Sequence, residues 1–392
     1  MTDPTSTVVQ DAAERVLSEA FGAVRLDAGT LLDSSGRSNL FRFSRLSGSD
    51  SAPASVIVKR AAAMGDEAYD PDQPGGPASR LFNEWASLQF LGEMAPDPPL
   101  APRLYGGDRE VGILVMEDLG HSAEGLPDRL LGDDSVAAEA DLVAYATTVG
   151  RMHGRTVGYV ARFHELRDAL GPSGPDQLGH DWIPSTFHAM VDALALTAGP
   201  AVDDDLTLLM ASLASPGEFT ALIHADPCPD NWLRTGSTDR LLDFEFGRVG
   251  HALLDGVYGR VPFPTCWCIG RLPEHVTRTM ERAYRTELAR TCSAARDDAR
   301  YAQAVVEACA HWMILVCRWS PITKLLEADQ EWGTGTIRQR LLARLEVVAR
   351  VTREAHHLEA IGELAEAMSR DLHGRWELEV VPLPLYPAFR TP

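Results

Sequence analysis

The chain has 392 residues, 45% hydrophobic and 23% charged, with a formal net charge of −20 at pH 7. This is enough apolar material for two packed lobes, and it excludes large-scale disorder. The acidity excludes a nucleic-acid groove, which needs clustered Lys and Arg, and no apolar run reaches the length of a signal peptide or membrane span, so a cytoplasmic protein is expected.

Thr7 to Phe21 places Val8, Val9, Ala12, Val16, Leu17, Ala20 and Phe21 on one helical face, and Gly22 ends the pattern. Short extended runs follow at Val24 to Leu26, Leu31 and Leu32, Leu40 to Leu46 and Ser55 to Lys59, separated by turn residues, which predicts an antiparallel meander. Met64 to Ser79 reads as a loop, Leu81 to Met94 as a helix, and Pro96 to Pro102 as a turn. Gly112 to Met116 is a buried strand emptying into Glu117-Asp118-Leu119, where we place the boundary between an N-terminal lobe (1–119) and a helical C-terminal lobe (120–392). Helices are expected at Ser135 to Arg155, Asp181 to Thr197, Asp203 to Leu213, Glu274 to Arg290, Ala299 to Trp319, Thr336 to Val351 and Ala355 to Leu372. Two short strands end at Ile223 and Leu242, and Trp376 to Pro392 reads as an extended tail over the surface.

Each of those two strands runs into a polar cluster. His224-Ala-Asp226-Pro-Cys-Pro-Asp230-Asn231 follows the first, and Asp243-Phe244-Glu245 comes twelve residues after Asn231. Two carboxylates and an amide on adjoining loops suit phosphoryl transfer, where a hydroxyl is held in line with phosphorus while cations neutralise the phosphate oxygens. Lys59 closes the apolar strand Ser55-Val-Ile-Val58, and of 36 basic residues only Lys59 and Lys324 are lysines. A chain that otherwise spells its cations as Arg keeps Lys at position 59, where a compact ammonium acts as a point charge that a planar guanidinium does not replace. Lys324, after Ser320-Pro321, reads as a solvated loop residue.

H-x-D-x-x-x-x-N followed by D-F-x, with Val56-Ile-Val-Lys59 upstream, resembles the aminoglycoside phosphotransferase family of protein-kinase-like enzymes; Glu245 stands where kinases have Gly. The resemblance implies an α+β, two-lobed fold with a small antiparallel sheet and a large helical lobe, using ATP and Mg2+. It implies that Asp226 serves as base and that Asn231 and Asp243 ligate magnesium. Lys59 would reach the nucleotide phosphates, with Glu84 as its partner. The turn around Ser34, Ser35, Gly36, Ser38 and Asn39 would cover the triphosphate, and Glu117 to Leu119 would read adenine through main-chain groups. His153 and Asp255 are expected to be structural, Asp255 as a brace for the catalytic region. His311, Cys309 and Cys317 are expected in a helical core.

The six cysteines, Cys228, Cys266, Cys268, Cys292, Cys309 and Cys317, show no paired C-x-x-C knuckles and read as reduced, mostly buried thiols. Three functions stay open at this point: an O-kinase of a small hydroxylated molecule, which the family favours; a kinase of Ser or Thr in a peptide; and a non-catalytic binding module. A peptide would need an exposed apolar groove among the helices after Glu274, near Trp267, Trp312, Trp319 and Trp332, although core packing is the simpler reading of most of these tryptophans.

Overall fold

A computed structural model describes residues 4–33, 38–62, 68–120, 124–173, 179–236, 238–376 and 379–390. The chain divides into two compact units, Met1–Ala123 with Tyr159–Gln177 and Arg234–Arg248, and Glu124–Gly158 with Leu178–Leu233 and Val249–Pro392.

The first unit opens with helix α1 (Pro4–Phe21), followed by strands β1 (Arg25–Leu26), β2 (Thr30–Asp33), β3 (Ser38–Ser47) and β4 (Ser55–Ala61). Helix α2 (Gly76–Met94) and strands β5 (Leu104–Asp108) and β6 (Ile113–Glu117) complete it up to the connector. The antiparallel sheet has the order β1-β3-β4-β6-β5, with β2 on β3, and places Lys59 between Leu40 and Leu114. Strand alternation sends Val56 and Val58 to one face, where they join Val9, Ala13, Leu17, Phe43, Ile113 and Val115 in a core under α1. Lys59 therefore projects from the opposite face. Helix α2 starts five residues earlier than the Leu81 predicted, inside the expected loop, because Pro77 occupies its first turn, where a missing N–H costs nothing. The helix Val160–Asp168 was not legible in the sequence. Only Phe163, Leu166 and Arg167 of it are buried, too few to set up a period.

The second unit is helical. Its centre is the pair Ser135–Thr156 and Glu274–Leu288, which approach closely because Gly150 and Gly154 lack side chains. A Cβ on either would lie 2.6 Å from Tyr284 O or 2.8 Å from Glu287 O. Asp134 caps the first helix by accepting from Val136 and Ala137 N–H, Asp297 caps Asp298–Trp319 in the same way, and Thr336 with Gln339 forms a capping box at Ile337–Ala355. Cys309, His311, Trp312 and Cys317 lie buried on Asp298–Trp319. Trp267, Trp319 and Trp332 do not join that core. They are 42%, 53% and 37% exposed, and the Trp267 Nε1–H donates to Asp230 (3.0 Å). The tail also differs from expectation. It is extended, but Tyr386 is fully buried and donates to Cys268 O at 2.7 Å, and Leu383 is buried with it, so the segment is part of the core.

The mixed class, antiparallel sheet followed by a helical region, is the one expected. No described helix is long and apolar enough to cross a membrane.

Candidate active site

In the first unit, Lys59 Nζ lies 2.5 Å from Glu84 Oε2 and also donates to Asp243 Oδ1. Both Lys59 and Glu84 are buried, whereas the Asp243 side chain is 41% exposed. Burial works to lower the lysine's pKa, but the charges of Glu84 and Asp243 outweigh it, so the ammonium is raised above its ordinary value and stays protonated. Burial pushes the Glu84 carboxyl up, and the charge of Lys59 pulls against it. An ammonium has three donors, and two are used here among the described residues.

Asp243 follows strand Thr238–Leu241, which is tied down by Leu241 N–H to Leu100 O (2.8 Å) and by Arg240 to Pro99 O (2.8 Å). Its own backbone is left-handed (φ 61°), turning the chain into a short 3-10 helix at Phe244–Phe246. Asn83 holds that turn by donating to Glu245 O (3.3 Å), and Arg167 orients Asn83 from the other side (2.8 Å). Gly247 is needed because a Cβ there would overlap Ser87 Oγ on α2.

Of the predicted phosphate-covering turn, Ser34, Ser35 and Gly36 lie outside the described residues. Ser38 and Asn39 begin β3, opposite Ala61 and Arg60. At the predicted adenine connector, Glu117 N–H donates to Arg103 O (2.8 Å) and its carboxylate accepts from Arg103 N–H (3.1 Å). The half-buried Leu119 follows Asp118 in the same connector. Asp118 accepts from Arg42 (2.9 Å) and from Gly120 N–H (2.9 Å). Burial opposes its ionisation, yet these donors hold its carboxyl below the usual range.

In the second unit, the catalytic-type loop follows strand Thr220–Ile223. Ala225 is left-handed (φ 66°), a conformation a non-glycine residue keeps only where neighbours over-determine it. They do so here: buried Asp255 accepts from His224 N–H (2.6 Å) and Ala225 N–H (3.0 Å), Tyr145 donates to Pro227 O (2.5 Å), and Asn231 Nδ2 donates to Asp226 O (2.9 Å). Asp255 is itself met by His153 Nε2 (3.2 Å), whose Nδ1 contacts Tyr284 OH (2.8 Å). The brace read for Asp255 is thus a set of bonds to the loop backbone. Asp226 Oδ1 accepts from Thr265 Oγ1 and from Cys228 Sγ (3.1 Å); Thr265 was not singled out in the sequence because nothing local marks a residue 39 positions away.

All six cysteines are unbridged and buried. Hydrogen bonds from the Cys228 and Cys268 thiols lower the Cys266 thiol. Lys324 sits exposed on a short helix, Ile322–Glu327.

The donors read for magnesium are an amide oxygen on Asn231, whose NH2 is oriented by Asp226 O, and a part-exposed carboxylate on Asp243. Such oxygen donors fit a hard cation that retains water and bridges to phosphate.

The model of the phosphotransferase enzyme family matches residues 32–291. No curated protein sequence matches the chain. Among solved structures it is similar to a choline/ethanolamine kinase family protein from Mesorhizobium loti, at 15% identity, 86% of this chain and 92% of that one covered, and TM-score 0.44. It is similar to the choline kinase LicA from Streptococcus pneumoniae, at 15% identity, 88% and 97% covered, and TM-score 0.41. The streptomycin-ATP-APH(2")-IIa ternary complex matches at 15% identity, 81% and 95% covered, and TM-score 0.43. With the family model spanning more than half of its length, the chain belongs to the phosphotransferase enzyme family and is a phosphotransferase.

Proposed function

We propose that this chain transfers the γ-phosphoryl group of ATP to an alcohol hydroxyl of a small molecule, of the aminoglycoside, amino-sugar or related hydroxylated type. The observation that carries the reading is the buried Lys59 ammonium shared by Glu84 and Asp243, which leaves its third N–H for a phosphate oxygen. Lys59 holds the nucleotide phosphates while Glu84 fixes the ammonium, and Asp226 accepts the proton of the acceptor hydroxyl. The hydroxyl oxygen bonds to the γ-phosphorus, the bond from that phosphorus to the β,γ-bridging oxygen breaks, and ADP leaves. Asn231 and Asp243 would hold magnesium, which when bound would neutralise charge at the phosphate oxygens. Main-chain groups of Glu117 and Leu119, and Ser34, Ser35, Gly36, Ser38 and Asn39 ahead of and at the start of β3, complete the nucleotide site. In this reading the nucleotide-binding lobe runs to about Leu119 and the rest of the chain carries catalysis and the acceptor.

The acidic balance of the chain suits a cationic acceptor. The cavity after Glu274, about 730 Å³, combines charged residues, among them Arg260, Arg271, Glu274 and Arg350, with apolar ones such as Leu272, Pro273, Val347 and Leu385, so its lining favours neither acceptor class over the other. The test is ATP consumption against aminoglycosides, amino sugars, amino alcohols and Ser/Thr peptides, with the product read by mass. A phosphate added to a small hydroxylated amine supports the reading; turnover confined to peptides overturns it.

A further inference from the structure

We propose that the chain also carries a metal site for a thiophilic divalent cation, zinc, built from Cys228, Cys266 and Asp230, with Cys268 alongside. Cys228 Sγ, Cys266 Sγ and an Asp230 carboxylate oxygen lie within 4.8 Å of one another, and Cys268 Sγ is 3.0 Å from Cys266 Sγ. Tetrahedral zinc, with Zn–S about 2.3 Å and Zn–O about 2.1 Å, spaces its donors about 3.5–3.8 Å apart, so the set needs only a contraction of about 1 Å to close on an ion. Asp230 is held for the task, since one of its oxygens accepts from Trp267 Nε1 (3.0 Å) and the other remains as a donor. A hydrogen bond of that kind orients a ligating carboxylate from behind.

Charge points the same way. Arg340, fully buried on the helix Ile337–Ala355, donates to Cys266 O (2.8 Å) and Trp332 O (2.8 Å), and no carboxylate pairs with it among the described residues. A buried guanidinium without an anion is costly. Two thiolates and a carboxylate around a divalent ion sum to −1, which gives Arg340 its counter-charge at the carbonyl of a ligand residue.

The donor set also separates this site from the magnesium site. Sulfur selects a soft or borderline ion, whereas the oxygens of Asn231 and Asp243 suit a hard one. Cys228 and Asp230 lie on the loop between Asp226 and Asn231, and Cys266 adjoins Thr265, which bonds Asp226. An ion here pins that loop to residues 265–268. Cys228, Cys266 and Asp230 are then positioning residues.

The experiment measures metal in the full chain, purified under reducing conditions without chelator, by mass spectrometry of the elements. About one zinc per chain is expected, falling to below about 0.1 in both Cys228→Ser and Cys266→Ser and unchanged in Cys309→Ser, whose thiol is buried outside the cluster. Folding of the variants does not decide the matter alone. Chelator-stripped wild-type protein titrated with cobalt should develop a thiolate-to-cobalt charge-transfer band that saturates at one equivalent, survives excess magnesium and vanishes on adding zinc. Absence of that band together with no zinc uptake overturns the proposal. So does full zinc retention in both serine variants, or a Cys266–Cys268 disulfide that forms while the protein binds no metal.

Discussion

Lys59 donates to Glu84 across 2.5 Å while the same ammonium holds Asp243, so a strand, a helix and a left-handed turn meet on one nitrogen. A guanidinium placed there would present a planar fork, which cannot keep both carboxylates and a phosphate in place. Lys59→Arg is expected to lower turnover about 10²-fold through misplacement of roughly 1 Å, with a smaller effect on KM. Exposed Lys324→Arg is the control and should be silent. Steady-state kinetics that do not distinguish the two variants would remove the phosphate role from Lys59.

Asp226→Asn keeps an acceptor for Thr265 but removes the proton acceptor. Turnover should fall by about 10² or more while thermal stability and nucleotide affinity stay near wild type. Near-normal turnover rules out Asp226 as the base.

Asp243→Ala deletes a carboxylate that serves both Lys59 and the proposed ion. Calorimetric titration with the magnesium nucleotide should show binding weakened beyond detection, whereas unchanged affinity contradicts the ligand role.

Asp255→Asn leaves one of two buried loop N–H groups, His224 or Ala225, without an acceptor. A loss of about 1–3 kcal/mol in urea unfolding at pH 7 is expected, along with lower kcat from a loosened Asp226 loop. A variant as stable as wild type would show that the two N–H groups find other partners.

His251 is buried, stacks on Phe219 at 5.2 Å and accepts from Leu253 N–H (3.1 Å), and burial lowers it to about 4. The fold therefore favours the neutral ring. Its contribution is fully present above the unfolded value of about 6.5 and is lost as pH falls through about 4, amounting to about 2 kcal/mol between pH 7 and pH 5. Urea melts should show a shallower acid loss in His251→Asn; parallel pH profiles would assign the acid sensitivity elsewhere.

What the sequence determined by itself is local or periodic. The apolar run Ser55 to Val58 marked a strand with Lys59 at its end, and the structure puts Val56 and Val58 in the core. The spacing from His224 to Asn231, and from there to Asp243, marked two turns, and the avoidance of lysine picked out position 59 without any structure. Tertiary structure alone decided which atoms hold those turns. Asp255, expected as a brace, accepts from His224 and Ala225 N–H, Thr265 reaches Asp226 and Cys266 approaches Cys228, while Tyr386 enters the core from a tail rich in proline. It also decided that Trp267, Trp319 and Trp332 stay exposed. Contacts between residues tens of positions apart leave no period and no local spacing in the chain, since their closeness comes from how helices and loops pack and not from the residues that flank them.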